Sequence, residues 1–148
     1  MKFKTLPYWL FVSAIGVLTS FNTMAAEDYL PQKVLYHINY DDPKRISATF
    51  TNMNNHISEV GEDNLEIKAV VHGPAIKYFM DALDDDAKQT TIDSLRLNDV
   101  QFVICGNSLD GFKVTRDDLY EVEAEDVVKA GLPEIVRLQQ QGFIYVRP

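Results

Sequence analysis

Residues 100–109 read VQFVICGNSL, a run of strand-forming residues that ends at the only cysteine, Cys105, and continues into glycine and small polar residues. Valine, phenylalanine and isoleucine are enriched in strands, and a short apolar run bounded by turn residues is typical of a strand buried on both faces. The stretch therefore predicts a strand at 101–105 with a thiol at its carboxyl end.

Segments with strand and helix character alternate on both sides of this stretch. Further strands are predicted at 33–40, 65–71, 127–128 and 143–146. Helices are predicted at 43–60, 84–98 and 131–141, with a short helix or turn up to 80 and a short helix at 116–119, whereas 106–114 is expected to be irregular. Such alternation implies right-handed crossovers, so we expect an α/β protein: a three-layer α/β/α domain around a mainly parallel sheet of about five strands.

The N-terminus has the layout of a secretory signal peptide. Two lysines precede an apolar run that ends in small residues suited to a cleavage site. We therefore expect residues 1–25 to be a signal peptide, 26–32 a short leader, and 33–148 a single domain that is periplasmic or secreted. The alternative is an uncleaved anchor, which would hold the same domain on the outer face of the membrane.

The chain carries 14 lysine and arginine residues against 22 acidic ones, a formal net charge of −8. Removal of residues 1–25 would take away Lys2 and Lys4 and no acidic residue, so the domain would be more acidic still. No basic stripe is left for a phosphate backbone. We therefore expect neither nucleic-acid binding nor, after signal cleavage, attachment to an anionic membrane.

A single cysteine cannot form a disulfide within the chain, so we expect the hydrophobic core to hold the domain together. Export would place this free thiol in an oxidising compartment. One interpretation of Cys105 is a buried, inert residue that packs as a small hydrophobe. The other is an accessible, reactive thiol, which its place at the end of a strand favours.

Three strands of the predicted sheet carry a reactive side chain at or near their end. The first contains His37, the second leads to His72, and the third ends at Cys105. The carboxyl ends of parallel strands meet at one edge, with neighbouring strands about 4.8 Å apart, so these side chains are expected around one crevice. Backbone N–H groups that follow the strand would favour a thiolate there. The expected binding residues beside a catalytic Cys105 are His37, His72, Gly73, Gly106, Asn107 and Ser108.

Each histidine also has a purely structural interpretation. His37 lies inside its strand, where alternation can aim it into a helix layer, and His72 precedes Gly-Pro, where an imidazole can hydrogen-bond the turn. A Cys-His-His set also suits zinc or copper. The sequence has no His-x-His or Cys-x-x-Cys pair, so we assign no metal ligands and expect no cofactor. A protease-like Cys-His pair would lack a recognisable oxyanion loop.

Four stretches of the chain resemble the DsrE/DsrF-like proteins, in their small exported branch. They are KVLYHINYDDP at 33–43, VVHGP at 70–74, VQFVICGNSL at 100–109 and GLPEIVRLQQQGFIYVRP at 131–148. The resemblance covers nearly all of 33–148, and the stretches occur in the family's order. It implies an α/β/α domain of the DsrEFH-like type that associates into homo-oligomers, trimers or hexamers.

In sulfur-relay members of this family a strand-end cysteine accepts sulfur as a persulfide and passes it on, and Cys105 falls at that position. The resemblance therefore implies a sulfur carrier more than a turnover enzyme, with sulfur donor and acceptor proteins or small thiols as partners. Two other functions stay open: a non-catalytic oligomeric module that binds a small ligand or a partner's tail, and a Cys/His metal site. Candidates for an oligomer interface are the aromatic residues Tyr78, Phe79, Phe112 and Tyr120, with a place in the core as an equal alternative for Phe79.

Overall fold

A computed structural model describes residues 29–148. Five strands form one parallel sheet: β1 (Gln32–Ile38), β2 (Leu65–Val71), β3 (Gln101–Cys105), β4 (Val127–Val128) and β5 (Ile144–Val146). Their order across the sheet is β4-β3-β2-β1-β5, so β3, β2 and β1 are flanked on both sides. The predicted parallel α/β fold is confirmed. The expected signal peptide, 1–25, lies outside the described residues.

The helices are α1 (Pro43–Val60), α2 (Lys77–Asp81), α3 (Asp86–Leu97), α4 (Gly106–Phe112) and α5 (Gly131–Gln140). Short 3-10 turns lie at Glu62–Asn64, Gly73–Ile76, Ala82–Asp84, Arg116–Asp118 and Ala124–Asp126. Within residues 29–148, no helix has the length and apolar character needed to cross a membrane.

The longest helix, α1, has a clear start and stop in the sequence. The Asp42 side chain accepts hydrogen bonds from the backbone N–H groups of Lys44 and Arg45, and Pro43 occupies the first turn, where its missing N–H costs nothing. The helix ends at Gly61, whose φ of +88° is a conformation that glycine adopts readily. Its apolar stripe faces the sheet and is buried at Ile46, Phe50, Met53, Ile57 and Val60.

The larger core lies between the sheet and helices α1, α2 and α3. Phe50 is fully buried at its centre, with ring centroids 5.2 Å from Tyr78 and 5.6 Å from Phe102. Tyr78 and Phe79 are both buried in this cluster. The expectation of an exposed Tyr78 is therefore wrong in the single chain, and Phe79 has the core position that was its alternative, because the aromatic run of α2 faces inward. Phe112 is exposed.

A smaller core lies on the opposite face of the sheet, where α5 packs. Its buried members are Leu35, Val70, Val103, Ile135, Leu138 and Phe143. Side chains alternate along a strand, so residues two positions further along share this face. His37 and Cys105 therefore emerge on the α5 side, two residues beyond Leu35 and Val103.

Two predicted boundaries are wrong. The first strand ends at Ile38, not at 40. Residues 106–114 were expected to be irregular, whereas Gly106–Phe112 is helical and ends at Lys113 in the left-handed conformation, φ +58°. Gly106 and Gly111 weaken the helix signal of this segment, because glycine is the poorest helix former after proline.

Candidate functional site

Cys105 lies at the end of β3, directly before α4, and only 6% of its surface is exposed. Its sulfur accepts a hydrogen bond from the backbone N–H of Gly131, with the nitrogen 3.2 Å from Sγ. Gly131 is the first residue of α5. The first N–H groups of a helix have no partner within the helix and carry its positive partial charge, so this N–H stabilises negative charge on the sulfur.

The two predicted histidines meet on the α5 side of the sheet. Nε2 of His37 lies 2.7 Å from Nε2 of His72, within hydrogen-bond distance, and the rings are nearly parallel, with 17° between their planes. His37 is 8% exposed, and His72 is partly buried. The alternation of β1 does turn His37 towards a helix layer, and that same turn brings it to His72.

A third side chain, Tyr145, extends this contact. Its hydroxyl oxygen lies 2.6 Å from Nδ1 of His37. Tyr145 is on β5, which pairs with β1 so that Leu35 and Tyr145 are register partners. Forty per cent of Tyr145 is exposed, and the hydrogen-bonded chain runs from it through the buried His37 to the partly buried His72.

His72 and Cys105 are brought together by strand register and by Gly131. Strands β2 and β3 are paired up to Val71 and Ile104, so His72 and Cys105 are the next two residues on neighbouring strands. A Cβ atom added to Gly131 would lie 3.2 Å from Cβ of His72 and 3.3 Å from Cβ of Cys105. The sequence prediction that the strand ends bring these residues together therefore agrees with the geometry.

Both histidines are held neutral. Burial lowers the pKa of His37 to about 4, and the neighbouring His72 and the positive charge of Arg147 act in the same direction. Burial and Arg147 also lower the pKa of His72. Two neutral imidazoles can share the Nε2 contact with one proton between them, whereas two imidazolium rings would place two N–H donors against each other.

The glycine after His72 has a structural role. Gly73 adopts φ +57°, and its N–H donates to the hydroxyl of Ser108, with N and Oγ 2.7 Å apart. This bond joins the loop after β2 to the first turn of α4. Ser108 and Gly73 therefore hold two strand ends together rather than pointing free donors at the sulfur.

The backbone at Gly106 and Asn107 lies against the segment that contains β4. The backbone N–H of Asn107 donates to the carbonyl of Lys129, at 3.2 Å. A Cβ on Gly106 would lie 3.0 Å from the carbonyl oxygen of Val128, so glycine is needed there for packing against β4. The N–H donor on the sulfur comes instead from Gly131.

Sequence reasoning missed Tyr145 and Gly131. The sequence gives only a weak indication of Tyr145, because alternation within β5 shows that it lies on the opposite face from Ile144. The strand order, which the sequence does not show, is what places that face beside His37. Gly131 starts a helix without a positive φ, and a glycine that the backbone does not require indicates close packing. No group of three or more His, Cys, Asp or Glu residues within 29–148 is arranged to hold a metal ion.

The comparisons with known proteins agree with the α/β fold. The structure is similar to that of a protein of unknown function, MTH1491, from Methanobacterium thermoautotrophicum, with a TM-score of 0.69 and 28% sequence identity. The similarity covers 79% of this chain and 99% of that one. None of the curated proteins matches the chain. The model of the DsrE/DsrF-like family matches residues 32–148, and the chain therefore belongs to the DsrE/DsrF-like family.

Proposed function

We propose that this protein is an exported sulfur carrier in which Cys105 holds sulfur as a persulfide. The observation that carries the proposal is the hydrogen bond from the Gly131 N–H to Sγ of the single cysteine, at the end of the interior strand β3. A sulfur anion is the form that attacks and the form that a persulfide takes, and a helix-start N–H stabilises it. Membership of a family related to sulfur relay supports the same role.

The transfer needs no external oxidant. The Cys105 thiolate attacks the outer, sulfane sulfur of a donor persulfide. A bond forms between Sγ and that sulfur, the donor's S–S bond breaks, and the donor leaves as a thiolate. In the return step an acceptor thiolate attacks the outer sulfur on Cys105, which regenerates the Cys105 thiolate. One cysteine is enough for both steps, because donor and acceptor each bring their own thiol.

The setting of this reaction is part of the proposal. A periplasmic or secreted location rests on the signal-peptide layout of residues 1–25. Homo-oligomers, trimers or hexamers, rest on the family resemblance. An exposed apolar pair on α5, Leu132 and Val136, together with Ile144 on the edge strand, gives the single chain a surface suited to such contacts.

Cyanolysis tests the carrier role. Cyanide removes the outer sulfur of a persulfide as thiocyanate and leaves the thiol, so thiocyanate counts the carried sulfur. After incubation with inorganic polysulfide and desalting, the wild-type protein should release about one thiocyanate per chain, because it has one thiol able to hold a persulfide. The Cys105→Ser variant should release none. Equal release from both proteins would contradict the proposal.

The burial of Cys105 favours a second candidate, a non-catalytic module that binds a small ligand or a partner's tail at the strand ends. In that case the thiol is only a packed side chain. A small alkylating reagent distinguishes the two functions. A carrier should be alkylated in the folded state, and after loading the adduct should contain one extra sulfur and be released by a reductant, whereas a packed cysteine should react only after denaturation.

A further inference from the structure

We propose that Tyr145, His37 and His72 form a proton path between the Cys105 sulfur and solvent, with Tyr145 as the positioning residue that fixes the tautomers of both histidines. The proposal rests on the proposed carrier role of Cys105 and adds to it the residues that remove and return the thiol proton. It assigns a role to Tyr145, a residue that the sequence pattern does not single out.

The hydrogen-bond distances restrict the protons in this chain. The contact between the two Nε2 atoms, at 2.7 Å, needs one N–H donor and one bare acceptor nitrogen. If the Tyr145 hydroxyl donates to Nδ1 of His37, that ring must carry its proton on Nε2 and donate to His72. His72 then carries its own proton on Nδ1. One donor at the surface therefore sets the proton position two rings away.

The inner end of the chain lies beside the sulfur. His72 and Cys105 follow the last paired residues of β2 and β3, and both Cβ atoms lie against Gly131. Cγ of the His72 ring, the atom bonded to Nδ1, would lie 3.5 Å from a Cβ on Gly131. The His72 ring thus lies beside Gly131 next to Cys105. The described hydrogen bond of the sulfur comes from the Gly131 N–H, so we place one bridging water between Sγ and Nδ1 of His72.

The proton balance is simple. With a thiol present, the chain starts with its donors reversed: His72 donates from Nε2 to His37, and His37 donates from Nδ1 to the tyrosine oxygen. The S–H bond breaks, its proton goes to the bridging water, and that water gives one of its own protons to Nδ1 of His72. The Nε2 proton of His72 moves to His37, the Nδ1 proton of His37 moves to Tyr145, and the former Tyr145 proton leaves to water. Both rings end neutral, and a thiolate faces the Nδ1–H of His72 across the bridging water.

Charges around the pair favour a path through neutral rings. Arg147, which follows Tyr145 on the chain after Val146, disfavours a positive charge on both histidines. On α5, the carboxylate of Glu134 is paired with Arg137, and Lys68 of β2 also acts on it. No carboxylate in the described part of the chain hydrogen-bonds either ring. An imidazolium therefore has no counter-ion here, and a concerted shift of protons avoids forming one.

The chain offers a matched control on the other face of the sheet. The Tyr36 hydroxyl lies 2.9 Å from Nδ1 of His56, which is the same kind of contact in a place remote from Cys105. Tyr145→Phe and Tyr36→Phe each remove one hydroxyl from one histidine Nδ1. Only Tyr145→Phe should slow alkylation of Cys105 by iodoacetamide at pH 7, by about tenfold, the size expected for a weakened hydrogen bond to a charged sulfur.

Ring-nitrogen NMR gives a readout that a merely structural role would not move. Wild type loaded with sulfur should show two neutral rings at neutral pH, His37 with its proton on Nε2 and His72 with its proton on Nδ1. Tyr145→Phe should convert these signals to a tautomer mixture while the melting temperature stays near that of wild type. If Tyr145→Phe does not fold well, the wild-type tautomers alone decide, since an imidazolium at either position at pH 7 would overturn the path.

These outcomes separate the path from the carrier role. If Tyr145→Phe keeps the wild-type alkylation rate, the wild-type tautomers and normal sulfur loading, the proton path is contradicted and the carrier role of Cys105 stands. If wild type forms no sulfur adduct but Tyr145→Phe still slows alkylation, the carrier role is contradicted. The proton path then serves another reaction of the thiol.

Discussion

His37 and His72 face each other through their Nε2 atoms at 2.7 Å, although 34 residues separate them along the chain. The contact exists because β1 and β2 are paired and because both side chains lie on the α5 side of the sheet. A pair of imidazoles at this distance holds one proton in the contact. The pair therefore behaves as one titrating unit on a buried strand edge.

The stability of the protein should fall as pH drops from about 6.5 to about 4. His37 is neutral in the folded state, with a pKa lowered to about 4 from 6.5 in the unfolded chain. In this window the unfolded chain binds a proton that the folded chain does not, so the free energy of unfolding decreases as the proton concentration rises. His72 shifts in the same direction. The loss should be on the order of 3 kcal/mol.

Urea unfolding at pH 7 and at pH 5 measures this effect. The pKa of Glu134 is also lowered in the folded state, from an ordinary value of 4.5. This carboxyl therefore changes the stability only at more acidic pH and does not contribute between pH 5 and pH 7. His37→Gln should weaken the dependence between pH 5 and pH 7 without removing it, because burial also lowers the pKa of His72 and the pKa of His56. A wild-type protein that is equally stable at both values would show that His37 is not held neutral.

Replacing Gly131 by alanine should slow sulfur loading of Cys105 without unfolding the domain. The added Cβ would lie 3.2 Å from Cβ of His72 and 3.3 Å from Cβ of Cys105, closer than side-chain carbons normally pack. Its backbone is not in a positive-φ conformation, so alanine itself fits the helix start. Loading measured by cyanolysis should fall several-fold, while far-UV circular dichroism stays unchanged.

Gly111 provides the control for this substitution. It lies in α4, has no atom within 4 Å of the added Cβ and is not in a positive-φ conformation. Gly111→Ala should therefore keep full loading and stabilise the helix by up to about 1 kcal/mol. If Gly131→Ala takes up as much sulfur as Gly111→Ala, the close contact at Gly131 does not affect sulfur transfer to the Cys105 thiol.

Gly73→Ala should destabilise the protein through its backbone and not through a clash. No atom lies within 4 Å of the added Cβ, but φ is +57°. The left-handed conformation costs a non-glycine residue about 1 to 2 kcal/mol, and less for asparagine. Chemical denaturation should rank stability as wild type, then Gly73→Asn, then Gly73→Ala. An alanine variant as stable as wild type would contradict this conformation.

Phe50→Ala should cost about 3 to 5 kcal/mol of unfolding free energy, because it empties the centre of the larger core. Phe50 is fully buried and meets the rings of Tyr78, Phe79 and Phe102 edge to face. Phe112→Ala is the matched surface change, since Phe112 is 40% exposed, and it should cost much less. Thermal unfolding of both variants decides whether α1 and α2 share one core.

Local patterns in the sequence predict most of the fold. Asp42 and Pro43 define the start of α1, and the apolar run before Cys105 defines β3, because caps and buried strands depend on neighbouring residues. The segment after Cys105 is the exception. Gly106 and Gly111 lower the helix propensity of this segment, so the sequence pattern does not predict α4. The close packing of Gly106 against the Val128 carbonyl is a contact distant in sequence that local propensity cannot indicate.

The candidate site is less accessible to sequence reasoning, because it depends on strand order. His37, His72 and Cys105 can be placed at one edge from strand ends alone. Tyr145 joins them only because β5 pairs with β1, at the far side of the sheet from β4. Gly131 likewise reaches the sulfur only because α5 returns across β3, β2 and β1. Contacts between residues far apart in the chain leave no local pattern.

The most direct test of the carrier role is the intact mass of the protein after treatment with thiosulfate or a small-molecule persulfide. Wild type should gain about 32 Da, the mass of one sulfur atom, and should lose it again on addition of an acceptor thiol. Cys105→Ser should keep its original mass under the same conditions. A wild-type mass that does not change, or an equal gain on Cys105→Ser, would contradict sulfur transfer through Cys105.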